Sequence, residues 1–256
     1  VYSQVTLSST RPTRSGYTFL GWNTAADGSG TMYQPQSAVS NSTAGAKTLY
    51  AQWSQNYYTL RFSDSAGSSV PDNVRFAGNS SFLLPTQVPS RRGYIFTGWN
   101  TQANGAGTTY AAGASYTGAL SDAYLYAQWT PGTYTVTFDL NDADGGSTTA
   151  TGRPSAATGA TDSSIIISAT APTRVGYTFA GWTTQASGAG TTYAAGATFP
   201  LGADDHTLYA QWTAKAYTLT AYANAGTANE VWRSATVTFD TTVTPFSGYA
   251  APNWNP

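Results

Sequence analysis

Two short blocks recur along this chain at a nearly fixed spacing, and a period of this kind settles the architecture before any strand or helix is assigned. Gly16-Tyr17-Thr18-Phe19-Leu20-Gly21-Trp22-Asn23-Thr24 returns as Gly93-Tyr94-Ile95-Phe96-Thr97-Gly98-Trp99-Asn100-Thr101 and as Gly176-Tyr177-Thr178-Phe179-Ala180-Gly181-Trp182-Thr183-Thr184. Leu49-Tyr50-Ala51-Gln52-Trp53 returns as Leu125-Tyr126-Ala127-Gln128-Trp129 and Leu208-Tyr209-Ala210-Gln211-Trp212, each time at almost the same distance behind the first tryptophan. Between the blocks lies a glycine-rich turn: Asp27-Gly28-Ser29-Gly30-Thr31, Asn104-Gly105-Ala106-Gly107-Thr108 and Ser187-Gly188-Ala189-Gly190-Thr191.

Each full copy opens on an alternating run, Tyr58-Thr59-Leu60-Arg61-Phe62 in the second and Tyr134-Thr135-Val136-Thr137-Phe138 in the third, whose apolar residues share one face of a strand. The division this predicts is repeat 1 over 1–54, repeat 2 over 55–131, repeat 3 over 132–214 and a partial, divergent repeat 4 over 215–256. Repeat 4 opens at Lys215-Ala216-Tyr217-Thr218-Leu219-Thr220 and continues weakly to Gly248-Tyr249 and Trp254. Repeat 1 aligns Val5-Thr6-Leu7 with Ile165-Ile166-Ile167 and has no opening strand, so the sequence reads as a cut from a longer array. The stretch from opening tyrosine to the Gly-Tyr glycine changes length between copies, being longest from Tyr134 to Gly176, shorter from Tyr58 to Gly93 and shortest from Tyr217 to Gly248. A surface loop is the expected place for such length changes.

Short β-branched and aromatic runs bounded by Gly, Pro, Asn, Asp and Ser read as strands, and no window holds a 3.6-residue apolar period over ten positions. The chain is therefore expected to be all-β, with room for one short helix per repeat. In repeat 3 strands are expected near Tyr134 to Asp139, Ser164 to Ser168, Tyr177 to Trp182 and Thr207 to Thr213, with a weaker one near Thr191 to Tyr193. The short helix would sit between the second and third of these.

Charge and composition exclude several function classes. Charged residues are 9% of the chain and net charge is −1, with Lys47 and Lys215 the only lysines, so no basic stripe meets a nucleic-acid backbone. No apolar run approaches the 18 residues of a membrane span, and zero cysteines exclude disulfides and thiolate chemistry. Low charge does not mean disorder here, because 18 Tyr, 10 Phe and 8 Trp supply surface to bury.

The coupled motifs resemble the Listeria-Bacteroides repeat, also called the internalin B-repeat, whose signature reads roughly Pro-Thr-Arg-x-Gly-Tyr-Thr-Phe-x-Gly-Trp followed by Leu-Tyr-Ala-Gln-Trp. Repeats 1 to 3 match almost throughout; repeat 4 departs, with Asn253 where the motif has Gly and Pro252 before it. The resemblance implies tandem β-grasp-like modules in an elongated array on secreted or wall-attached bacterial proteins. It brings no catalytic residues with it.

Candidate chemistry is sparse: one His, one Glu and eleven Asp must supply any acid–base or metal site. His206 aligns with Lys47 and Ala123 and reads as a solvent-facing strand residue. Asp139-Leu140-Asn141-Asp142-Ala143-Asp144-Gly145 looks like a calcium loop, but with Gly145 at position six, position one falls on Leu140 and position twelve on Thr151. It is expected to be an Asx-rich turn. Lys-Asn cross-linking would need a lysine in each repeat, and repeat 2 has none. No catalytic, cofactor or metal residue is thus assigned.

Core packing is the expected role of Trp22, Trp53, Trp99, Trp129, Trp182 and Trp212, which leaves Tyr110 and Tyr193 as candidates for surface contact. Three functions fit. The first is a non-enzymatic extracellular or cell-surface spacer whose partners are its own neighbouring repeats. The second is a multivalent adhesin binding glycan or a host or microbial surface protein through glycine-rich loops and aromatics. The third is head-to-tail self-assembly by strand complementation.

Overall fold

The computed structural model describes residues 3–41, 46–64, 69–143, 148–223 and 230–242. Two compact units divide the chain, Val1–Thr130 and Pro131–Pro256. The described residues form strands, turns and bends with no helix, so the short helix expected between Ser164–Ile166 and Tyr177–Thr183 is not there. Its place is taken by an extended stretch and the tight turn at Gly176.

In the first unit, repeat 2 builds a five-stranded sheet in the order Thr109–Tyr110, Tyr94–Asn100, Ala123–Pro131, Tyr57–Ser63, Val74–Ala77. The opening strand Tyr57–Ser63 runs parallel to Ala123–Pro131 in the middle of this sheet, Leu60 beside Ala123 and Phe62 beside Leu125. Parallel neighbours need a long crossover connection, and here the rest of the repeat supplies it. A separate pair, Ser81–Leu83 with Ser115–Thr117, adds a second layer. Between the layers lie Leu60, Phe62, Phe76, Leu84, Trp99, Tyr116 and Leu125.

In the second unit, repeat 3 repeats the plan: Ala157–Ala160, Thr133–Asp139, His206–Ala214, Tyr177–Thr183, Thr192–Tyr193 form the sheet, and Ser164–Ile166 pairs with Thr198–Pro200. Again the opening strand is parallel to its neighbour, Val136 beside His206 and Phe138 beside Leu208. The strand Ala157–Ala160 was not anticipated. Ala-Thr-Gly-Ala carries no apolar alternation, and only pairing with Thr133–Asp139 makes it a strand. Repeat 1 shows three sheet strands, Met32–Tyr33, Tyr17–Asn23 and Tyr50–Gln55, plus the pair Ser3–Thr6 and Ala38–Asn41. Repeat 4 shows one hairpin, Ala216–Ala223 with Glu230–Thr238. Its later motif, Gly248-Tyr249 through Trp254, lies outside the described residues.

The Gly-Trp step explains how one strand delivers two rings to one core. Phe19 and Trp22 are three residues apart and would face opposite sides of a regular strand. Pairing with Tyr50–Gln55 slips between Phe19 and Gly21, and the same slip lies between Phe179 and Gly181. This one-residue bulge returns the tryptophan to the phenylalanine's face. The pairs meet edge-on at 5.4, 5.2 and 5.3 Å in repeats 1 to 3. Glycine is required at the step: φ is +147° at Gly98 and +137° at Gly181, and an added Cβ would lie 3.0 and 3.1 Å from the carbonyl oxygens of Tyr110 and Tyr193.

Trp99 and Trp182 are fully buried. Trp53, Trp129 and Trp212 are half-buried, each edge-on to the same phenylalanine at 5.5 to 5.7 Å. Two of the three are pinned at the outer edge: the Trp129 indole donates to Asp64 at 3.1 Å and the Trp212 indole to the Leu140 carbonyl at 2.8 Å.

Candidate functional site

Two recurring features are the places where a ligand or a neighbour would be met: the glycine-rich loop and the junction between repeats. The loop is organised from below by the residue that ends the Gly-Trp strand. Asn100, wholly buried, donates its amide to the Gly105 and Gly107 carbonyls, both at 3.1 Å, and to Thr109 Oγ1 at 2.9 Å. Its Oδ1 accepts the N–H groups of Gln102 and Gly107 at 2.8 and 3.0 Å. Asn23 holds Gly28, Gly30 and Ala25 in the same way. In repeat 3 Thr183 replaces the asparagine; its hydroxyl donates to the Gln185 carbonyl at 2.7 Å and accepts from Gln211 Nε2 at 2.9 Å.

The glutamine of the second block closes the loop from the side. Gln52 reaches the Ala25 and Ala26 carbonyls at 3.4 and 3.3 Å, and Gln211 reaches Ala186 at 3.3 Å. The second loop glycine leaves no room for a side chain, since a Cβ on Gly107 would sit 2.2 Å from Thr101 Oγ1. The loop is thus a closed capsule whose polar backbone groups bond inward. Its exposed tip in repeat 2, residues 101–106, is small and uncharged.

The tyrosines expected to serve as surface contacts are packed instead. Tyr110 is half-buried and edge-on to Tyr116 at 5.2 Å; Tyr193 is half-buried and edge-on to Phe199 at 5.1 Å. The short strands that carry them, Thr109–Tyr110 and Thr192–Tyr193, pair with the Gly-Trp strand and turn the rings inward. Burial pushes the Tyr116 hydroxyl above its ordinary pKa, with the neighbouring Tyr110 adding to the shift. His206, expected to face solvent, is half-buried edge-on to Phe199 at 5.2 Å, because its strand runs beside Val136 in mid-sheet.

Asp139 accepts the Asn141 N–H at 2.8 Å and Asp142 accepts that of Ala150 at 2.7 Å, so both carboxylates cap backbone in an Asx-rich turn. Asp144 and Gly145 of the same stretch lie outside the described residues. Among the described residues no group of three or more His, Cys, Asp or Glu side chains is placed to hold a metal.

Repeat 2 carries an exposed aromatic site that the repeated motifs did not reveal. Tyr124 is 49% exposed and stacks on Tyr126 at 6.1 Å with a 20° interplanar angle. The Arg61 guanidinium stands 5.6 Å from the Tyr124 ring and pairs with Asp122 at 2.9 Å. Asp122 Oδ1 also accepts the Thr59 N–H at 2.8 Å, as Asp205 does for Thr135 at 2.7 Å. The Arg61 hydrogen bond, with help from Thr59, holds the Asp122 carboxyl below its usual pKa. Thr48 and Thr207 occupy the Tyr124 position in the sister repeats, so motif comparison carried no signal for it.

The junction uses the glycine of the Gly-Tyr step. Arg14, Gly16 and Tyr17 form a turn in which the Tyr17 N–H meets the Arg14 carbonyl at 3.0 Å and the guanidinium lies 3.9 Å above the Tyr17 ring. Arg91 and Tyr94 repeat this at 3.7 Å, Arg174 and Tyr177 at 4.1 Å. The Gly16 carbonyl accepts the N–H of Asn56, the one residue between Tyr50–Gln55 and Tyr57–Ser63, at 2.8 Å; the Asn56 carbonyl accepts from Gly78 at 3.4 Å. Lys215 repeats the pattern between Gly176 at 2.8 Å and Phe239 at 2.9 Å, and Phe239 lies edge-on to Tyr177 at 5.6 Å. Linkers of one residue are thus bonded on both sides.

The motifs that build this bulge, capsule and turn are what known proteins share with the chain. A family model described as the Listeria-Bacteroides repeat domain matches residues 2–52, 58–128 and 134–211. A protein of Evansella cellulosilytica provisionally named a Gly-rich membrane protein is 34% identical over 226 residues, 83% of this chain and 24% of that protein. Internalin H of Listeria monocytogenes is 37% identical over 122 residues, 47% of this chain and 20% of that protein. The chain therefore spans about a quarter or less of these relatives. Among solved structures, domains 3-4 of the Streptococcal High Identity Repeats in Tandem from a cell surface protein align with 17% identity and a TM-score of 0.22, over 60% of this chain and 96% of that one; the overlap is too partial to carry fold or function. No helix among the described residues is long and apolar enough to cross a membrane. With its two blocks matched three times, each at the residues that fix the bulge, the loop capsule and the turn, the chain belongs to the Listeria-Bacteroides repeat family.

Proposed function

We propose that these repeats are a non-enzymatic spacer within an extracellular or cell-surface bacterial protein, with modules divided near residues 54, 131 and 214. The observation that carries this reading is the bonded junction. A one-residue linker tied on one side to Gly16 or Gly176 and on the other to Gly78 or Phe239 restricts bending between successive modules. The loop capsules and inward tyrosines support the same reading, because they direct the repeated polar and aromatic groups into the module. Stability in such an array comes from each repeat and its nearest neighbours.

The test is to insert two glycines between Gln55 and Asn56, and separately between Ala214 and Lys215, and to compare small-angle scattering. The expected result is unchanged secondary structure with a broadened distance distribution. An unaltered distribution in both variants would show that the junctions do not restrain the modules and would remove the basis for a spacer.

A second reading concerns repeat 2 only. The exposed Tyr124–Tyr126 stack beside Arg61 and Asp122 presents an aromatic face with a charged rim, the make-up of a contact for glycan or protein. Binding on a glycan or surface-protein panel that Tyr124→Ser abolishes supports it; equal signals from both proteins count against it.

A further inference from the structure

The outer face of the repeat 2 sheet carries rings and charge that its fold does not need. Along Tyr57–Ser63 the side chains of Tyr58, Leu60 and Phe62 belong to the core, so Tyr57, Thr59, Arg61 and Ser63 point outward. Tyr124 and Tyr126 share that outer face, Tyr124 beside Arg61 and Tyr126 beside Ser63. On the other flank Arg75 lies opposite Thr59, and its guanidinium sits 3.9 Å from the centre of the Tyr57 ring, a residue 50% exposed. Arg75 is itself exposed and, among the described residues, meets no carboxylate, whereas Arg61 is paired with Asp122. This face therefore holds two guanidiniums against one carboxylate, in a chain whose net charge is −1.

Repeat 3 serves as an internal control. Strand register places Thr133, Thr137, Thr158 and Thr207 where repeat 2 has Tyr57, Arg61, Arg75 and Tyr124. All four positions are threonine on an equivalent sheet, and the Thr137 and Thr207 hydroxyls there bond to each other at 3.0 Å. In the repeat 4 hairpin Ala216, Thr220 and Thr236 take the first three of these positions. The backbone thus forms without the rings and guanidiniums, and stability does not account for their presence in repeat 2.

We propose that this face binds an acidic oligosaccharide, its carboxylates held by Arg75 and Arg61 and its sugar rings laid on Tyr57 and Tyr124. The inference rests on the reading of the Tyr124–Tyr126 stack as a contact surface and names the chemistry of its ligand. At about 3.3 Å per residue along a strand and about 4.8 Å between strands, the Tyr57 and Tyr124 backbones stand roughly 14 Å apart, within the reach of a short oligosaccharide. Each ring has one guanidinium beside it. A tyrosine ring offers a flat apolar face to the C–H side of a pyranose, and a guanidinium grips a carboxylate through two parallel hydrogen bonds. The Tyr57 ring holds Arg75 in place while leaving its N–H donors for a ligand. Between and beside the rings stand Thr59 and Ser63 rather than aliphatic side chains. Their hydroxyls match those of a sugar chain, whereas a protein partner would need a dry apolar centre.

The experiment is isothermal titration calorimetry of the full chain at low salt with oligosaccharides of galacturonate, glucuronate and mannuronate, each beside its carboxyl-reduced, neutral form. The acidic forms are expected to bind about tenfold or more tighter than the reduced ones, and added salt to weaken them. Arg75→Thr, Tyr57→Thr and Tyr124→Thr each match repeat 3 at that position, so circular dichroism is expected to stay unchanged. Arg75→Thr should weaken acidic ligands about tenfold or more, while the two tyrosine variants weaken acidic and neutral forms alike. Failure of every acidic form to bind, or acidic binding indifferent to Arg75→Thr, overturns the inference. Equal binding of acidic and reduced forms that Tyr124→Thr abolishes, or Tyr124-dependent capture of a surface protein with no oligosaccharide bound, also overturns it but leaves the contact surface standing. Oligosaccharide binding that Tyr124→Thr leaves intact ends both.

Discussion

The three Gly-Trp tryptophans form a built-in control on the role of burial, because one substitution meets three environments. Removing Trp99 or Trp182 deletes a ring with zero exposure. A tryptophan buries about 150–250 Å², which at about 25 cal/mol/Å² amounts to roughly 4–6 kcal/mol, and measured Trp→Ala changes in cores cost about 3–5 kcal/mol. Trp99→Ala and Trp182→Ala are therefore each expected to destabilise their own repeat by about 3–5 kcal/mol, a large part of a small module's total. Trp22 lies against an open cavity and already meets solvent, so Trp22→Ala is expected to cost roughly half as much or less, since less area leaves water. Native-state hydrogen exchange read by mass spectrometry localises each effect: amides of Tyr94–Asn100 should lose protection in Trp99→Ala while those of Tyr177–Thr183 keep theirs. Equal costs at Trp22 and Trp99, or a loss below about 1 kcal/mol at Trp99, would refute the assignment of these rings to a core closed by the opening strand.

Gly98→Ala places a Cβ 3.0 Å from the Tyr110 oxygen at a φ of +147°; a loss of about 1–3 kcal/mol is expected in thermal unfolding, and full tolerance would contradict the bulge. Asn100→Ala strips the loop of its inner partner and should cost about 1–3 kcal/mol while freeing the Gln102 and Gly107 amides to exchange; unchanged protection there would count against the capsule. For Asp122, the carboxyl resonance should titrate below 3.8 and move upward in Arg61→Ala. Since the folded value is depressed, the carboxylate's contribution is present above the unfolded value and fades as pH falls through the folded one. High salt should weaken this exposed pair; an Asp122 titration indifferent to both Arg61 and salt would show that the pair does not form.

The parts legible in the sequence were those set by local pattern. Tyr134, Val136 and Phe138 alternate with threonines, so a half-buried strand followed directly, and Thr133–Asp139 has Val136 and Phe138 inward with Thr137 out. The scarcity of long aliphatics pointed to an aromatic core, and Trp99 and Trp182 are fully buried, but Trp22, Trp53, Trp129 and Trp212 are only half-buried and Leu60, Leu125, Val136, Ile167 and Leu208 share the buried interior. Repeated Asn23 and Asn100, and the glutamines Gln52, Gln128 and Gln211, were visible as letters. Their work on the loop was not, because a hydrogen bond between residues 26 apart is invisible to any local window.

The sequence by itself determined the period, the all-β class, the sparse supply of catalytic groups and the family, since each rests on residue type and spacing along the chain. Only the tertiary structure decided the rest. It showed that Gly21, Gly98 and Gly181 bring Phe and Trp to one face, that the opening strand pairs in parallel with the last strand of its repeat, and that Ala157–Ala160 is a strand at all. It also turned Tyr110, Tyr193 and His206 inward. The physical reason is common to all of these: a side chain's burial depends on which strand lies across from it, and that partner is fixed by pairings that span most of a repeat, as Leu60 with Ala123 and Val136 with His206 do.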